Sequence, residues 1–285
     1  MQGLVVLLEA NRPTVETEDG ARYLCYLRGK IKRDHGRILV GDWVEIERTD
    51  PHEAIVTKVW PRRNQLVRPP IANVAGLFVV FSASQPKGSL ELLDKRLVLA
   101  HMMGVAAEIV VTKTDLNDVE GRQHHVITLY QNIGYRVWPV SAVTGQGINA
   151  LVSAKREGVW VLVGESGAGK SSLAKALLPH ERIEVQELSR IGRGQQTTRW
   201  VRLLRTGTFW LADTPGYTAL ETTVKDAARI RDAFWEWDGA RCRFASCYHL
   251  DEPGCAVLDG LQSGRFDLGR YAHYKVMLEQ WVKPY

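Results

Sequence analysis

Between two hydrophobic stretches, VLVGESGAGKSSL brings together in a few residues the groups that handle phosphate. The spacing GxxxxGKS, from Gly164 through Gly169 and Lys170 to Ser171, lets glycine backbone N–H groups curl around phosphate oxygens. Lys170 can reach the β and γ oxygens, and the Ser171 hydroxyl can coordinate Mg²⁺. Nucleotide-binding candidates are therefore Gly164, Glu165, Ser166, Gly167, Ala168, Gly169, Lys170, Ser171 and Ser172, at a helix N-terminus that favours anions. Downstream, LADTPG offers Asp213 as the acid that holds Mg²⁺ and the Gly216 N–H as a sensor of the γ-phosphate.

Two upstream segments supply base recognition. In VTKTDL the Asp115 carboxylate can accept hydrogen bonds from the guanine N1–H and exocyclic amine, a pattern adenine cannot match. Lys113 can lie along the base plane with its aliphatic stem and tether neighbouring loops, and Thr112 stands where this motif usually has Asn. In VSAVTGQGI the backbone of Ser141 and Ala142 can contact the base oxygen. Asp115 argues against an ATPase or a small-molecule kinase.

A third group serves a metal. Cys242, Cys247, His249 and Cys255, spaced CxxxxCxHxxxxxC, supply three thiolates and an imidazole, a closed tetrahedral set for one structural Zn²⁺. The only other cysteine is Cys25, so clustered thiols point to a metal in a reducing compartment rather than to disulfides.

These residues need three kinds of scaffold. Residues 1–68 carry short alternating stretches (GLVVLLEANR, ARYLCYLRG, GDWVEIERTD, EAIVTKVWP), which predict a small antiparallel barrel, OB-like or SH3-like. Across 69–222, buried strands alternate with amphipathic helices, the pattern of a doubly covered α/β sheet. Strands are expected at GLFVVFSA, AAEIVVTKTD, YRVWPVSA, VWVLVGES and FWLADTPG, with helices at LELLDKRLVLAHMM, EGRQHHVITLYQNI and GKSSLAKALL. A hairpin joins TRWVRLLRT to GTFWLADTP. Residues 223–285 read as helical, with VKDAARIRDAFWEW and DLGRYAHYKVMLEQW flanking the cysteine cluster.

Every nucleotide motif falls at the C-terminal end of an expected strand, where open α/β sheets bind ligands. Their order, base loops before phosphate loop and DTPG, is the ordinary GTPase series cut and rejoined. Circular permutation allows this, because domain termini commonly lie close together.

The whole chain of 285 residues is 45% hydrophobic and 24% charged, a globular balance that argues against disorder. No apolar run is long enough to span a bilayer, and the first residues lack the features of a secretion signal, so a cytoplasmic protein with no membrane partner is expected. A net charge of +5 permits an RNA partner. Arg28, Lys30, Lys32, Arg33 and Arg37 crowd one barrel loop, and Arg241 and Arg243 flank the first cysteine of the cluster; these are the RNA-binding candidates.

Taken together, RGKIK, GDWVEIE, NQLVRPPIANVAGLFVVFSA, GESGAGKSSL, GRGQQTTR, DTPG and CRFASCYHLDEPGCAV closely resemble the RsgA (YjeQ/YloQ) family of circularly permuted GTPases that act in small ribosomal subunit maturation. The resemblance implies an N-terminal OB-fold that binds RNA, a central permuted P-loop GTPase and a C-terminal helical zinc-binding domain, in a multidomain α/β chain. It also implies a GTPase that binds the small (30S) subunit and its rRNA, assists late maturation, and turns GTP into GDP and phosphate on contact. The alternative is a GTP-gated rRNA-binding assembly factor with incidental hydrolysis. A monomer is expected.

Two departures bear on catalysis. The family switch reads roughly GxGxHTT, and Gln196 occupies the histidine position; the family lacks the water-orienting glutamine that Ras-like enzymes carry after DTPG, and here that residue is Tyr217. Gln196 is accordingly expected to orient the attacking water through its amide, and Thr198, or else Thr197, to ligate Mg²⁺. The catalytic candidates are Gln196, Lys170, Thr198 and Asp213. The chain stops at WVKPY, short of the basic tail that relatives often carry.

Overall fold

Alternation of buried and outward-facing residues marks the strands of the amino-terminal barrel, most clearly in the third to fifth of β1 (Gln2–Glu9), β2 (Arg12–Thr17), β3 (Arg22–Leu27), β4 (Trp43–Arg48) and β5 (Glu53–Val59). In the computed structural model, which describes residues 1–9, 12–29, 31, 36–118, 120–179, 201–213 and 226–282, they pair in the order β1-β2-β3-β5-β4. A β1–β4 pairing closes the ring, and β3 runs parallel to β5. The barrel is OB-like, filled by Val5, Val15, Cys25, Val44, Ile46 and Val56.

After a small hairpin, β6 (Gln65–Leu66) and β7 (Ile71–Ala72), the periodicity changes. β8 (Val74–Ser82) is buried along almost its whole length, as a parallel strand covered on both faces must be. It leads to α1 (Leu90–Met102), β9 (Ala106–Thr112), α2 (Arg122–Ile133), β10 (Arg136–Pro139), α3 (Ile148–Ser153), β11 (Val159–Gly164) and α4 (Lys170–Leu177). The hairpin β12 (Arg202–Thr206) and β13 (Phe209–Asp213) completes a sheet of order β10-β9-β8-β11-β13-β12, in which β12 alone is antiparallel to its neighbour. Alternate residues of β8 feed two cores. Leu77, Val79 and Phe81 meet Leu93 and Leu97 of α1 and Val126 and Tyr130 of α2. Phe78 and Val80 meet Leu151 of α3 and Leu173 and Leu177 of α4. Each fully buried Leu contributes about 2 kcal/mol.

β12 uses its other edge to pair with β1, Leu7 opposite Arg202, so barrel and central sheet run on as one eleven-stranded sheet. Arg205 of β12 lies 3.5 Å from the nearly buried Glu16 of β2.

The carboxy-terminal part holds α5 (Ala227–Asp232), α6 (Ala256–Gln262) and α7 (Leu268–Val282). The expected single helix over 224–237 is interrupted. Asp226 caps α5 by accepting from the Ala228 and Arg229 N–H groups, and the helix stops at Asp232, leaving one 3₁₀ turn at Trp235–Trp237. The break lets Phe234 and Trp237 stack 4.8 Å apart, both buried with Tyr274 and Met277. Neither β2, the β6–β7 hairpin nor α6 was expected as an element. No described helix is long and apolar enough to cross a membrane.

Candidate functional site

Parallel strands β8, β9, β10 and β11 deliver their following loops to one end of the sheet, where the described nucleotide-binding candidates gather. At the β11–α4 loop the chain turns through left-handed Gly167 and Gly169. A Cβ at Gly167 would come within 2.8 Å of Pro86, so glycine here permits both the backbone angle and the close approach. Lys170 folds over the loop, its Nζ donating to the carbonyl oxygens of Gly164 at 2.9 Å and Glu165 at 2.7 Å. Burial, reinforced by the nearby Arg96 charge and opposed by Glu165, lowers the pKa of Lys170. Ala168 is buried, whereas Ser166, Ser171 and Ser172 are exposed. The Glu165 carboxylate turns to α1, where Oε2 accepts from the Ser89 N–H at 2.6 Å.

The base loop after β9 is tied to the phosphate loop by two side chains. Thr112 Oγ1 donates to the Ala168 carbonyl oxygen at 2.6 Å. Lys113 Nζ donates to the carbonyl oxygens of Gly167 at 2.8 Å and Gln85 at 2.6 Å. Among the described residues Lys113 is one of three non-glycine residues at positive φ, 61°, and these two bonds brace it there. Asp115, next but one, is exposed. The second base loop joins through the Thr114 N–H, which donates to the Val140 carbonyl at 3.3 Å. Buried Ser141 shapes that loop, its Oγ accepting from the Val143 and Thr144 N–H groups, with Ala142 half-buried between. Thus Thr112, Lys113, Ser141 and the phosphate loop come together in space across the permutation. The backbone of Asp213 ends β13, whose neighbour is β11, with Val161 opposite Ala212. Gln196, Thr197, Thr198, Gly216 and Tyr217 lie outside the described residues.

Sequence reasoning missed the loop that joins β8 to α1. Gln85 and Pro86 brace the base and phosphate loops, Ser89 receives Glu165, and Arg122 donates through Nη2 to the Gly88 carbonyl at 2.5 Å. The strand-end rule that located the other loops also covers this one, and its SQPKGS composition reads as a turn closed by a helix cap.

In the carboxy-terminal part, Cys242 Sγ lies 3.6 Å from His249 Nδ1 and 4.0 Å from Cys255 Sγ, and Cys255 Sγ lies 3.4 Å from His249 Nδ1. With Cys247, all four ligand atoms fall within 4.8 Å of one another. A tetrahedral zinc with Zn–S of about 2.3 Å would space its ligand atoms roughly 3.6–3.8 Å apart, so the set fits that ion with no position left open. Burial pushes the Cys247 thiol up to about 12 and the His249 pKa down. The imidazole is therefore offered neutral, and metal binding must displace thiol protons. Side chains of α7 and Glu252 fix the loop that carries these ligands. Tyr271 Oη donates to the His249 carbonyl at 2.7 Å, Tyr274 Oη to the Tyr248 carbonyl at 2.6 Å, and Glu252 accepts from the Tyr248 and Leu250 N–H groups.

Of the basic candidates, Arg28 is exposed and 3.4 Å from Glu47; Arg37, Arg241 and Arg243 are exposed. Arg243 packs on Gly254 and reaches over the Phe244 ring at 5.6 Å. Lys30, Lys32 and Arg33 lie outside the described residues.

Residues 59–223 match the family model described as RsgA GTPase. The "Small ribosomal subunit biogenesis GTPase RsgA" of Caldanaerobacter subterraneus subsp. tengcongensis is 37% identical over 284 residues, covering 98% of this chain and 95% of that protein. The protein of the same name from Geobacillus kaustophilus is 39% identical, covering 90% and 89%. The crystal structure of YjeQ from Thermotoga maritima superposes with a TM-score of 0.87 at 31% identity, over 100% of this chain and 99% of that one. YloQ, described as a circularly permuted GTPase, gives 0.83 at 29% identity, over 100% and 96%. Base loops that precede the phosphate loop in the chain yet close on it in space, and likeness over nearly the full length, lead to one assignment: the chain belongs to the RsgA GTPase family.

Proposed function

We propose that this protein hydrolyses GTP to GDP and phosphate on contact with the small ribosomal subunit and assists late maturation of that subunit. The observation that carries the reading is the pair of tethers from Thr112 and Lys113 to the phosphate loop, which holds a guanine-selective loop against a triphosphate cradle.

Each residue then has a task. Asp115 accepts from the guanine N1–H and amine, Lys113 lines the base plane, and the Ser141–Ala142 backbone meets the base oxygen. The loop from Gly164 to Ser172 wraps the phosphates with backbone N–H groups, and Lys170 exchanges its loop carbonyls for phosphate oxygens. Ser171, Thr198 and Asp213 hold Mg²⁺, which neutralises charge on the β- and γ-phosphates when bound. Gly216 senses the γ-phosphate, and the Gln196 amide orients the attacking water by donating to and accepting from it. Intrinsic turnover is slow, because no preformed arginine finger stands in the motif set and Tyr217 cannot supply the glutamine chemistry.

The organisation that serves this function is a barrel over 1–68, a permuted GTPase over 69–222 and a zinc module over 223–285. Arg28, Lys30, Lys32, Arg33 and Arg37 on the first and Arg241 and Arg243 on the last contact rRNA phosphates. One zinc per chain is structural, held by Cys242, Cys247, His249 and Cys255. The protein acts in the cytoplasm as a monomer.

The test is steady-state hydrolysis of GTP and of ATP with and without purified small subunits. GTP turnover that rises on adding subunits, with ATP inert, is expected; absence of stimulation rejects the reading. Gln196→Ala with full stimulated turnover would reduce Gln196 to a switch residue without a catalytic task.

A further inference from the structure

An acidic side chain beside a triphosphate cradle is electrostatically costly unless something else uses its charge. Glu165 turns away from the cradle and accepts the Ser89 N–H of α1 at 2.6 Å. Ser89 is also the cap of that helix, its Oγ accepting from the Leu92 N–H at 3.2 Å, so a carboxylate sits at the positive end of the helix dipole. Arg96 of the same helix lies close enough to this carboxylate for the two charges to interact, and its charge also acts on Lys170.

The other end of α1 is part of the zinc module. Val98 and Met102 are buried in the module core with Ile230, Phe234 and Tyr274. Arg229 of α5 donates to the Met102 carbonyl oxygen. Midway, fully buried Asp94 binds Arg270 and His273 of α7 and accepts from Tyr130 Oη at 2.7 Å, while Arg270 also reaches Glu236 at 2.6 Å. Lys95 Nζ meets Gln280 Oε1 at 2.8 Å. A helix of 13 residues is about 20 Å long and moves as a unit. Its first turn is fastened to the phosphate loop, Leu93, Leu97 and Ala100 pack in the sheet core, and Asp94, Lys95, Val98 and Met102 meet the zinc module.

We propose that Glu165 is a positioning residue through which the zinc module sets the phosphate loop: α1, clamped by Glu165 at Ser89 and by the module at Asp94, Lys95, Val98 and Met102, transmits the module's position to the nucleotide. This rests on the GTPase reading for the identity of the nucleotide only. The route runs through packing rather than along the chain, because α1 precedes the phosphate loop by some seventy residues. Linkage makes the effect reciprocal, so bound nucleotide tightens the module by the same factor that the module tightens nucleotide.

The experiment is titration with fluorescent GDP of the full chain and of the variants Glu165→Ala, Glu165→Gln and His273→Ala, and of the double variant Glu165→Ala/His273→Ala. His273→Ala loosens the α1–α7 contact while leaving Asp94 with Arg270 and Tyr130, and should weaken GDP binding about fivefold or more. Lys95→Ala, which removes the contact to Gln280, is a milder perturbation of the same sign. In the Glu165→Ala background the His273→Ala effect should vanish. Glu165→Gln, whose amide oxygen still accepts from the Ser89 N–H, should retain it. Stripping zinc with a chelator should act like His273→Ala, and saturating GDP should raise zinc affinity by the matching factor. GDP affinity indifferent to His273→Ala, or weakened equally with and without Glu165, overturns the proposal. A protein that bound ATP as well as GTP would defeat the GTPase reading and leave this coupling intact.

Discussion

Thr112 Oγ1 donates to the carbonyl oxygen of Ala168 at 2.6 Å, with the carbonyl of Phe81 3.2 Å away, so one hydroxyl joins the ends of β8 and β9 to the phosphate loop. The position usually holds Asn, whose longer amide has donors and an acceptor; a hydroxyl does the tethering here with a single proton because Ala168 lies close. Glycine at 169 is part of that closeness, since a Cβ there would sit 3.3 Å from Thr112 Oγ1.

Thr112→Val keeps the shape and deletes the donor. It leaves the buried Ala168 carbonyl without its side-chain partner, a loss of about 1–3 kcal/mol. GDP and GTP affinity should fall together by roughly tenfold or more in fluorescent-nucleotide titration. Unchanged affinity would mean that the tether is not part of the binding-competent loop.

Asp115→Asn removes a purely accepting group from the edge of the base and replaces half of it with a donor. Guanine would then face an unmatched N–H, and GTP affinity should drop about 100-fold while ATP affinity stays weak. Competition of unlabelled GTP and ATP against the fluorescent nucleotide reads both. An Asp115→Asn protein that still prefers guanine would locate selectivity in the Ser141–Ala142 loop.

Breaking the buried ion cluster should cost stability as well as the coupling of α7 to α1. Arg270→Met strips Asp94 and Glu236 of their shared cation at a site where Asp94 is fully buried, at a cost of about 3–5 kcal/mol. Denaturant unfolding should show a lower midpoint with zinc content measured alongside. A midpoint within error of the parent would mean that His273 and Tyr130 suffice to hold Asp94.

Which of these features can be read from the chain depends on how local their causes are. The phosphate loop, the Cys242–Cys255 cluster and the base loops are each fixed by spacings of a few residues, and their strand-end positions follow from hydrophobic runs. That is why the permutation was readable and why its loops do close in space. Ser89 and Glu165 are 76 residues apart, and Asp94 and Arg270 are 176 apart. Nothing near either member of those pairs announces the other: Asp94 in an amphipathic helix and Arg270 in a charged one read as solvated faces, and only packing of α7 on α1 buries both. The expected helix over 224–237 failed for a related reason. Its periodic pattern was compatible with one helix, but burying Phe234 and Trp237 in one core required a break between Asp232 and Trp235.

Cys25 offers a test of the barrel core by pH. It is fully buried, its Sγ 3.4 Å from the Tyr23 carbonyl oxygen, and burial raises its pKa from 9.0 to about 11. Below pH 9 the thiol is protonated in both the folded and unfolded chains, and the stability linked to it is fully present. Between pH 9 and 11 the unfolded thiol ionises while the folded one keeps its proton, so the folded state binds more protons and stability falls as pH rises. Cys25→Val fills a similar volume among Val15, Val44 and Val56 and removes this titration. The expected outcome is that the parent loses more stability than Cys25→Val between pH 8 and about pH 10.5 in parallel urea unfolding. Because every other Lys and Tyr is shared, the difference between the two curves isolates the thiol. Parallel curves would mean that the thiol ionises as readily in the folded barrel as in the unfolded chain, and that the barrel admits water to Cys25.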